Sequence, residues 1–373
     1  MTSPPESLRR TALYDLHTAL SARMTPFAGW EMPLQYERGI VDETRAVREH
    51  AGVFDVSHMG RLFAVGADAA RLVRAAVTYD VASLPEGRGH YTLMCNEEGG
   101  ILDDPYVYRL DAVRLLVVGN AVNAERDRDR LSSLLQTGWD AELLDRQAET
   151  VMLAVQGPKA RELAARVVGP EAVRLERRAC HELPYRGVKL FVSRTGYTGE
   201  DGVELVTSAD AGRHLWTRLV AEGVVPCGLG ARDILRLEAA LPLWGQDIDE
   251  TTNPFEAGLG WVVSFGDGAP FMGREALLRL KEAGVRRRLA HLKARERGVM
   301  RRGQPVLHGG RAVGTVTSGG YSPTLGVSIG MAYLPVELAR VGTELAVDVR
   351  GRLLPVDVVA RPFYRSAAES AEA

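Results

Sequence analysis

Two adjacent carboxylates open the segment best suited to chemistry, Gly99-Gly100-Ile101-Leu102-Asp103-Asp104, which leads into the extended run Pro105-Tyr106-Val107-Tyr108. Side chains alternate along a strand, so Asp104, Tyr106 and Tyr108 would share one face while Asp103 and Val107 take the other. A carboxylate beside aromatic rings suits a flat substrate that develops positive charge, because rings bind its face and the carboxylate stabilises the cation. A Gly-Gly turn with a solvated acid pair is the plainer alternative.

A second motif runs from Ser193 to Leu205, with Arg194-Thr195-Gly196-Tyr197-Thr198-Gly199-Glu200-Asp201-Gly202-Val203-Glu204 between them. Glycine at this density permits close backbone approach to a ligand, with Tyr197 as a stacking ring and Glu204 as an inward acid on the return strand. A long hairpin explains the same residues without a ligand. A third, Pro226-Cys227-Gly228-Leu229-Gly230-Ala231-Arg232-Asp233, imitates a dinucleotide fingerprint, but Asp233 stands at the third glycine position and would repel a pyrophosphate. Arg232, near a helix start, instead offers a fork of donors for carbonyl or carboxylate oxygens, or an ordinary salt bridge. The acidic stretch 245–250 lacks the ligand periodicity of a calcium loop. Phe54-Asp55-Val56-Ser57-His58-Met59 holds Asp, Ser and His, yet neighbours on a strand face opposite sides, so a structural polar corner is expected and not a hydrolytic triad.

The elements that must position these groups mix strands and helices without a βαβ beat, which predicts an α+β fold. Helices are expected at 40–51, 69–76, 158–168 and 211–222, with Asn120 capping another that runs to about Gln136. Strands are expected at 53–57, 60–65, 91–95, 106–110, 113–118, 150–156, 188–194 and 202–207, giving two lobes of similar texture. From about Arg286 short glycine-punctuated strands predict a small all-β barrel or sandwich. The boundaries are 11–280 and 286–365, and the Ala/Ser/Glu tail after Arg365 is expected to fray.

Composition bounds the function. The chain has 373 residues, 46% of them hydrophobic, enough for two or three packed domains. Its 46 basic and 48 acidic residues nearly cancel, so nucleic acid is not an expected partner. Cys95, Cys180 and Cys227 form no paired motif, which fits a reducing cytoplasm and no structural zinc. No apolar run approaches the length of a membrane span.

Taken in order, Phe27-Ala28-Gly29-Trp30, Phe54 to Met59, Gly99 to Asp104, Arg194 to Glu204 and Gly228 to Glu238 resemble the aminomethyltransferases of the glycine cleavage system, the T-proteins. The resemblance covers about Thr11 to Arg365. It implies a three-domain cloverleaf, two α+β lobes around a folate channel plus a C-terminal β-barrel. It also implies transfer of a methylene group from the lipoyl arm of H-protein to tetrahydrofolate, with release of ammonia. Asp104 matches the family's catalytic carboxylate, and Tyr91, Tyr197, Glu204 and Arg232 match folate-contacting positions; Tyr106 joins them from the strand reading. Tetrahydrofolate is the expected co-substrate, without metal, flavin or nicotinamide. Beyond Pro362-Phe363-Tyr364-Arg365, where the family often has another folate contact, this chain has Ala and Ser. The alternative is a folate-binding protein of the same superfamily that acts in one-carbon regulation or cofactor maturation. The basic run Arg286-Arg287-Arg288, with Lys293, Arg295, Arg297, Arg301 and Arg302, is the candidate surface for an acidic carrier, or else a solvated charge run.

Overall fold

A computed structural model describes residues 7–266 and 268–367. The run Thr150–Gln156, TVMLAVQ, is apolar on both of its faces, and both are buried. Leu153 and Val155 point to one side, where helices Ala160–Val168 and Ala209–Ala221 supply Leu163, Ala164, Leu215, Trp216 and Leu219. Met152 and Ala154 point to the other and meet Phe54, Phe191 and Val206 from neighbouring strands and Tyr108, Leu116 and Val118 from a second sheet. The protein is therefore built on two sheets packed face to face, with helices covering their outer sides.

The six-stranded sheet has the order Cys180–Tyr185, Val188–Ser193, Gly202–Ser208, Thr150–Gln156, Gly52–Asp55, Val225–Pro226, antiparallel except for the last pair. The five-stranded sheet is antiparallel throughout: Glu142–Asp145, Gly60–Val65, Arg114–Gly119, Tyr106–Arg109, Arg88–Tyr91. Its outer face carries Leu62, Ala64, Val107, Leu115 and Val117 against helix Ala69–Ala76. The two halves of the chain are interleaved, since Gly52–Asp55 precedes the five-stranded sheet in sequence yet is an inner strand of the other.

Six strands, Arg287–Ala294, Val327–Pro335, Arg311–Ser322, Pro305–His308, Glu344–Val349 and Arg352–Val359, close into a barrel. The expected all-β unit is thus a barrel and not a sandwich. Its attachment combines an apolar contact, Leu237 against Ile329 and Met331, with a polar network. Glu238, at the end of helix Leu229–Glu238, accepts Arg48 Nε at 3.0 Å and Nη2 at 2.8 Å, Ser322 Oγ at 2.5 Å and Thr324 Oγ1 at 2.9 Å. Arg48 Nη1 reaches Thr198 O and Glu200 Oε1, both at 2.9 Å, and its guanidinium lies 4.0 Å over the Tyr364 ring. On the same helix, Arg236 binds Asp247 Oδ2 and Ser318 Oγ, each at 2.8 Å.

Several expectations need correction. The strand expected at 91–95 breaks at Thr92-Leu93, because Thr92 N turns to Pro105 O at 2.9 Å. The helix expected to start at Asn120 begins instead at Ala124, after Asn123; the Asn120 side chain is engaged by carboxylates. Ser366, in the tail expected to fray, is buried, and 368–373 lie outside the described residues. The polar corner is as expected: Asp55 accepts Ser57 N, Thr11 Oγ1 and His17 Nε2, while Ser57 Oγ donates to Met152 O. All three cysteines are buried and unpaired. Among the described residues no helix is long and apolar enough to cross a membrane.

Truncating Arg48 leaves Glu238 buried with only hydroxyl donors. Arg48→Met is expected to cost about 3–5 kcal/mol, read as a lower urea midpoint. Arg45→Ala, whose partner Asp42 is exposed, is expected to cost under about 1 kcal/mol. Equal midpoints for the two variants would remove the Arg48 network from the fold's support.

Candidate active site

Asp104 lies between strands Ile101–Asp103 and Tyr106–Arg109, in neither of them. The alternation that would have placed it beside Tyr106 and Tyr108 is therefore interrupted. Its ring neighbour is Tyr91, which pairs across the sheet with Tyr106 and donates from its hydroxyl to Asp104 Oδ2 at 2.7 Å. Asn120 Nδ2 donates to Asp104 Oδ1 at 2.5 Å and to Asp103 Oδ1 at 2.7 Å. The two acids thus converge on one amide, where the sequence had set them on opposite faces. Among the described residues no cation forms an ion pair with Asp104. Burial first, and the Asp103 charge second, push its carboxyl well above the usual carboxylate range.

Glu204 is delivered by register. It sits opposite Ser193 on one side and Ala154 on the other, facing the space between the sheets. Its Oε2 accepts Thr195 Oγ1 at 2.6 Å and the Tyr108 hydroxyl at 3.2 Å. The loop before it is closed by Arg194, whose Nε and Nη2 reach the two Asp201 oxygens at 2.8 and 2.9 Å. Gly196 is required there, because a Cβ would stand 1.9 Å from Gln156 Oε1. Tyr197, in that loop, donates to Pro242 O at 2.5 Å, and burial raises its hydroxyl, with a smaller contribution from the charge of Asp104.

Arg232 projects from the first turn of helix Leu229–Glu238, whose start is held by Glu43 Oε2 accepting Gly228 N at 2.8 Å. Its guanidinium lies 5.1 Å from the Tyr197 ring centre. Burial lowers its basicity, Glu204 opposes that, and Nη1 is buried without a hydrogen-bond partner. Tyr106 packs 4.8 Å from Tyr108, donates to Gly89 O at 3.3 Å, and sits toward Glu204 and not Asp104. The structure thus gives three groups of contacts, Asp104 with Tyr91, Arg232 with the Tyr197 ring, and Glu204 with Tyr108 and Tyr106, whose charges influence one another.

Three residues join this region that residue type and spacing did not mark as ligand-facing. Asn120 reads as a helix cap in sequence. Trp261, on the short turn Gly260–Val262, stacks 6.0 Å from Tyr91 and is 54% exposed, so it forms a lip. His58 is buried 5.5 Å from Phe27, with Nδ1 unpartnered; burial pushes its imidazole down to about 3, so it is neutral. The acidic stretch 245–250 is occupied structurally, with Asp247 on Arg236 and Glu250 on Arg126. In the basic run, Arg287 is held by Glu256 at 2.9 and 3.1 Å, and Arg295 by Asp357 and Glu344. Arg286 and Arg288 are exposed, with no ion pair among the described residues.

Asp104 binds its proton more tightly in the fold than an unfolded aspartate, which titrates near about 4. Above that range the folded state is progressively penalised relative to the unfolded one as pH rises, until Asp104 has ionised. The Asp104→Asn variant escapes this penalty. Its thermal midpoint is expected to gain on the wild type between about pH 5 and about pH 9, and a gap independent of pH would make Asp104 an ordinary carboxylate.

The GCVT N-terminal domain family matches residues 13–267, and the glycine cleavage T-protein C-terminal barrel domain family matches 287–365. An aminomethyltransferase of Prochlorococcus marinus is 47% identical over 370 residues, 96% of this chain and 98% of the relative. One from Symbiobacterium thermophilum is 48% identical over 370 residues, covering 97% and 98%. The crystal structure of glycine cleavage system aminomethyltransferase T from Bartonella henselae superposes with a TM-score of 0.91 at 36% identity, over 96% of this chain and 99% of that one. With both halves matched and near-complete coverage on each side, the chain belongs to the aminomethyltransferase family, the T-proteins of the glycine cleavage system.

Proposed function

We propose that Asp104 is the catalytic carboxylate of this aminomethyltransferase and that Tyr91, Tyr106, Tyr197, Glu204 and Arg232 hold tetrahydrofolate in a channel between the two sheets and the barrel. The observation that carries this reading is the pairing of a proton-avid carboxyl, held by the neutral side-chain donors Tyr91 and Asn120, with an orphaned donor on Arg232. Residues 11–280 would form the folate-binding unit and 286–365 the barrel unit, in a cloverleaf held where Glu238 accepts Ser322 and Thr324 and Arg236 donates to Ser318. The buried thiols suit a reducing cytoplasm.

Tetrahydrofolate, when bound, supplies the two nitrogens that take up the methylene group. The chain's own residues bind, orient and polarise. Glu204 Oε2 is fixed by Thr195 and Tyr108, leaving Oε1 without a hydrogen-bond partner among the described residues and able to accept from the pterin's donor edge. Arg232 Nη1 would satisfy a carbonyl oxygen, and burial makes that bond worth forming. Expelling ammonia from a carbon attached to sulfur builds positive charge, and Asp104 in its ionised form, which that charge favours, stabilises it. Tyr91 and Asn120 aim the carboxylate without cancelling it. Trp261 lines the approach as an aromatic lip.

Tetrahydrofolate-dependent release of ammonia from an aminomethyl-loaded, lipoylated H-protein tests the reading; folate binding without release would favour the regulatory alternative. Asp104→Asn is expected to abolish nearly all turnover while keeping folate affinity. Glu204→Gln and Arg232→Ala are each expected to weaken folate binding by about 1–3 kcal/mol, and unchanged dissociation constants in both would move the folate elsewhere.

The carrier surface follows from the same structure. Arg287 is committed to Glu256, so Arg286 and Arg288 are the steering charges for an acidic carrier. Reversing both to Glu is expected to slow productive association with the carrier and flatten its salt dependence, leaving the folate dependence in place. Kinetics at low and high salt with unchanged carrier dependence would exclude this surface.

A further inference from the structure

Behind Asp104, strand Arg114–Gly119 turns into helix Ala124–Leu134, and the turn gathers Asn120, Asn123 and Asp127 around Asp103. Asp103 is fully buried, and Asp127 is 2% exposed. Asp103 accepts Asn120 N at 3.0 Å, Asn120 Nδ2 at 2.7 Å and Asn123 Nδ2 at 2.5 Å. The second hydrogen of the same Asn120 amide goes to Asp104. With acceptors on both sides, the NH2 end is the one that fits.

Asp127 stands out in this set. Its Oδ2 is buried and no nitrogen or hydroxyl donor is directed at it. It is turned toward Asp103: Asp127 Oδ2 and Asp103 Oδ2 lie 2.5 and 2.9 Å from the place where a Cβ on Gly119 would stand. The missing side chain at Gly119 is what lets the two oxygens approach. Two buried carboxyl groups in this relation cannot both ionise, and sharing one proton is the way such a pair avoids repulsion. The surroundings favour that arrangement. Burial, Asp103 and Asp104 all raise the proton affinity of Asp127. Arg126 and the first turn of its own helix oppose them. The Arg126 guanidinium, however, is committed to Leu102 O, Asn123 Oδ1 and Glu250.

We propose that Asp127 is a positioning residue: it carries a proton that it donates to Asp103, so that one negative charge stands behind Asn120 and the bridging amide stays aimed at Asp104. Asp127 touches no substrate and acts through Asp103 and Asn120. The inference rests on Asp104 as the carboxylate at the reacting centre, and it adds the group that fixes how much charge stands behind it.

Infrared difference spectra of the wild type against Asp127→Asn, recorded without turnover, are expected to show a protonated-carboxyl C=O band that the variant lacks. Absence of that band overturns the proposal whatever role Asp104 has. In the ammonia-release assay, Asp127→Leu supplies no donor, and the Asp103 charge then acts on Asp104 at full strength. The variant is expected to lose about tenfold in kcat and to shift the limb on which activity rises with pH upward by about one unit. Asp127→Asn, which keeps an N–H donor without charge, is expected to restore both. A Leu variant with the wild-type rate and pH limb overturns the proposal, as does an Asn variant whose limb moves downward, the sign of a lost ionised neighbour. Should the Leu variant not fold, the infrared band and the pH limb of the Asn variant decide.

Discussion

The position of helix Leu229–Glu238 depends on ion pairs that have no room to slide. Arg236 and Glu238 are almost fully buried, and their partners Asp247 and Arg48 come from different parts of the chain. Separating either pair would leave a charge in a low-dielectric interior, a penalty of several kcal/mol that fixes a single geometry. The same helix carries Arg232 one turn before Arg236. The barrel adds Ser318 on Arg236 and Ser322 and Thr324 on Glu238, so it helps to fix where Arg232 points.

The two sheets impose the complementary constraint. Their facing surfaces are apolar through Met152, Ala154, Phe191, Leu116 and Val118, so a polar group placed between them must bring its partners. Glu204 does so through Thr195 and Tyr108, and Ser193 Oγ lies in turn 2.7 Å from Thr195 Oγ1. One carboxylate oxygen is saturated and oriented by this chain of hydroxyls. The other is left for whatever enters between the sheets, and a carboxylate held this rigidly loses little entropy on binding.

Much of this was legible from residue order. The strand Thr150–Gln156, the Ser193 to Glu204 hairpin, the helix beginning after Gly228 and the barrel strands all follow from local periodicity and turn chemistry. The Asp104 environment did not. Its contact with Tyr91 arises from the pairing of Arg88–Tyr91 with Tyr106–Arg109, and a pairing register is not written in either strand alone. Asn120 precedes a helix and so reads as a cap, yet two buried acids outcompete the helix end for its amide. Arg287 reads like its neighbours Arg286 and Arg288 until Glu256, thirty-one positions away, takes it out of the surface charge. Trp261 is marked by nothing local, because its role comes only from the ring it stacks against.

The remaining feature is the company kept by Asp104. A guanidinium beside it would make the carboxylate comfortable in the resting protein and would repel a cation forming nearby. Such a partner would stabilise the ground state more than the transition state, the reverse of what catalysis needs. Here Arg232 is offset by the charge of Glu204 with its Nη1 left unpartnered, and Arg126 is bound to backbone and side-chain oxygens and to Glu250. Asp104 keeps neutral donors, the Tyr91 hydroxyl and the Asn120 amide among them, with Asp103 adding repulsion. A carboxyl whose ionised form is disfavoured in this way gives up its proton most readily when positive charge appears next to it, so its charge is felt most at the step where the cation forms.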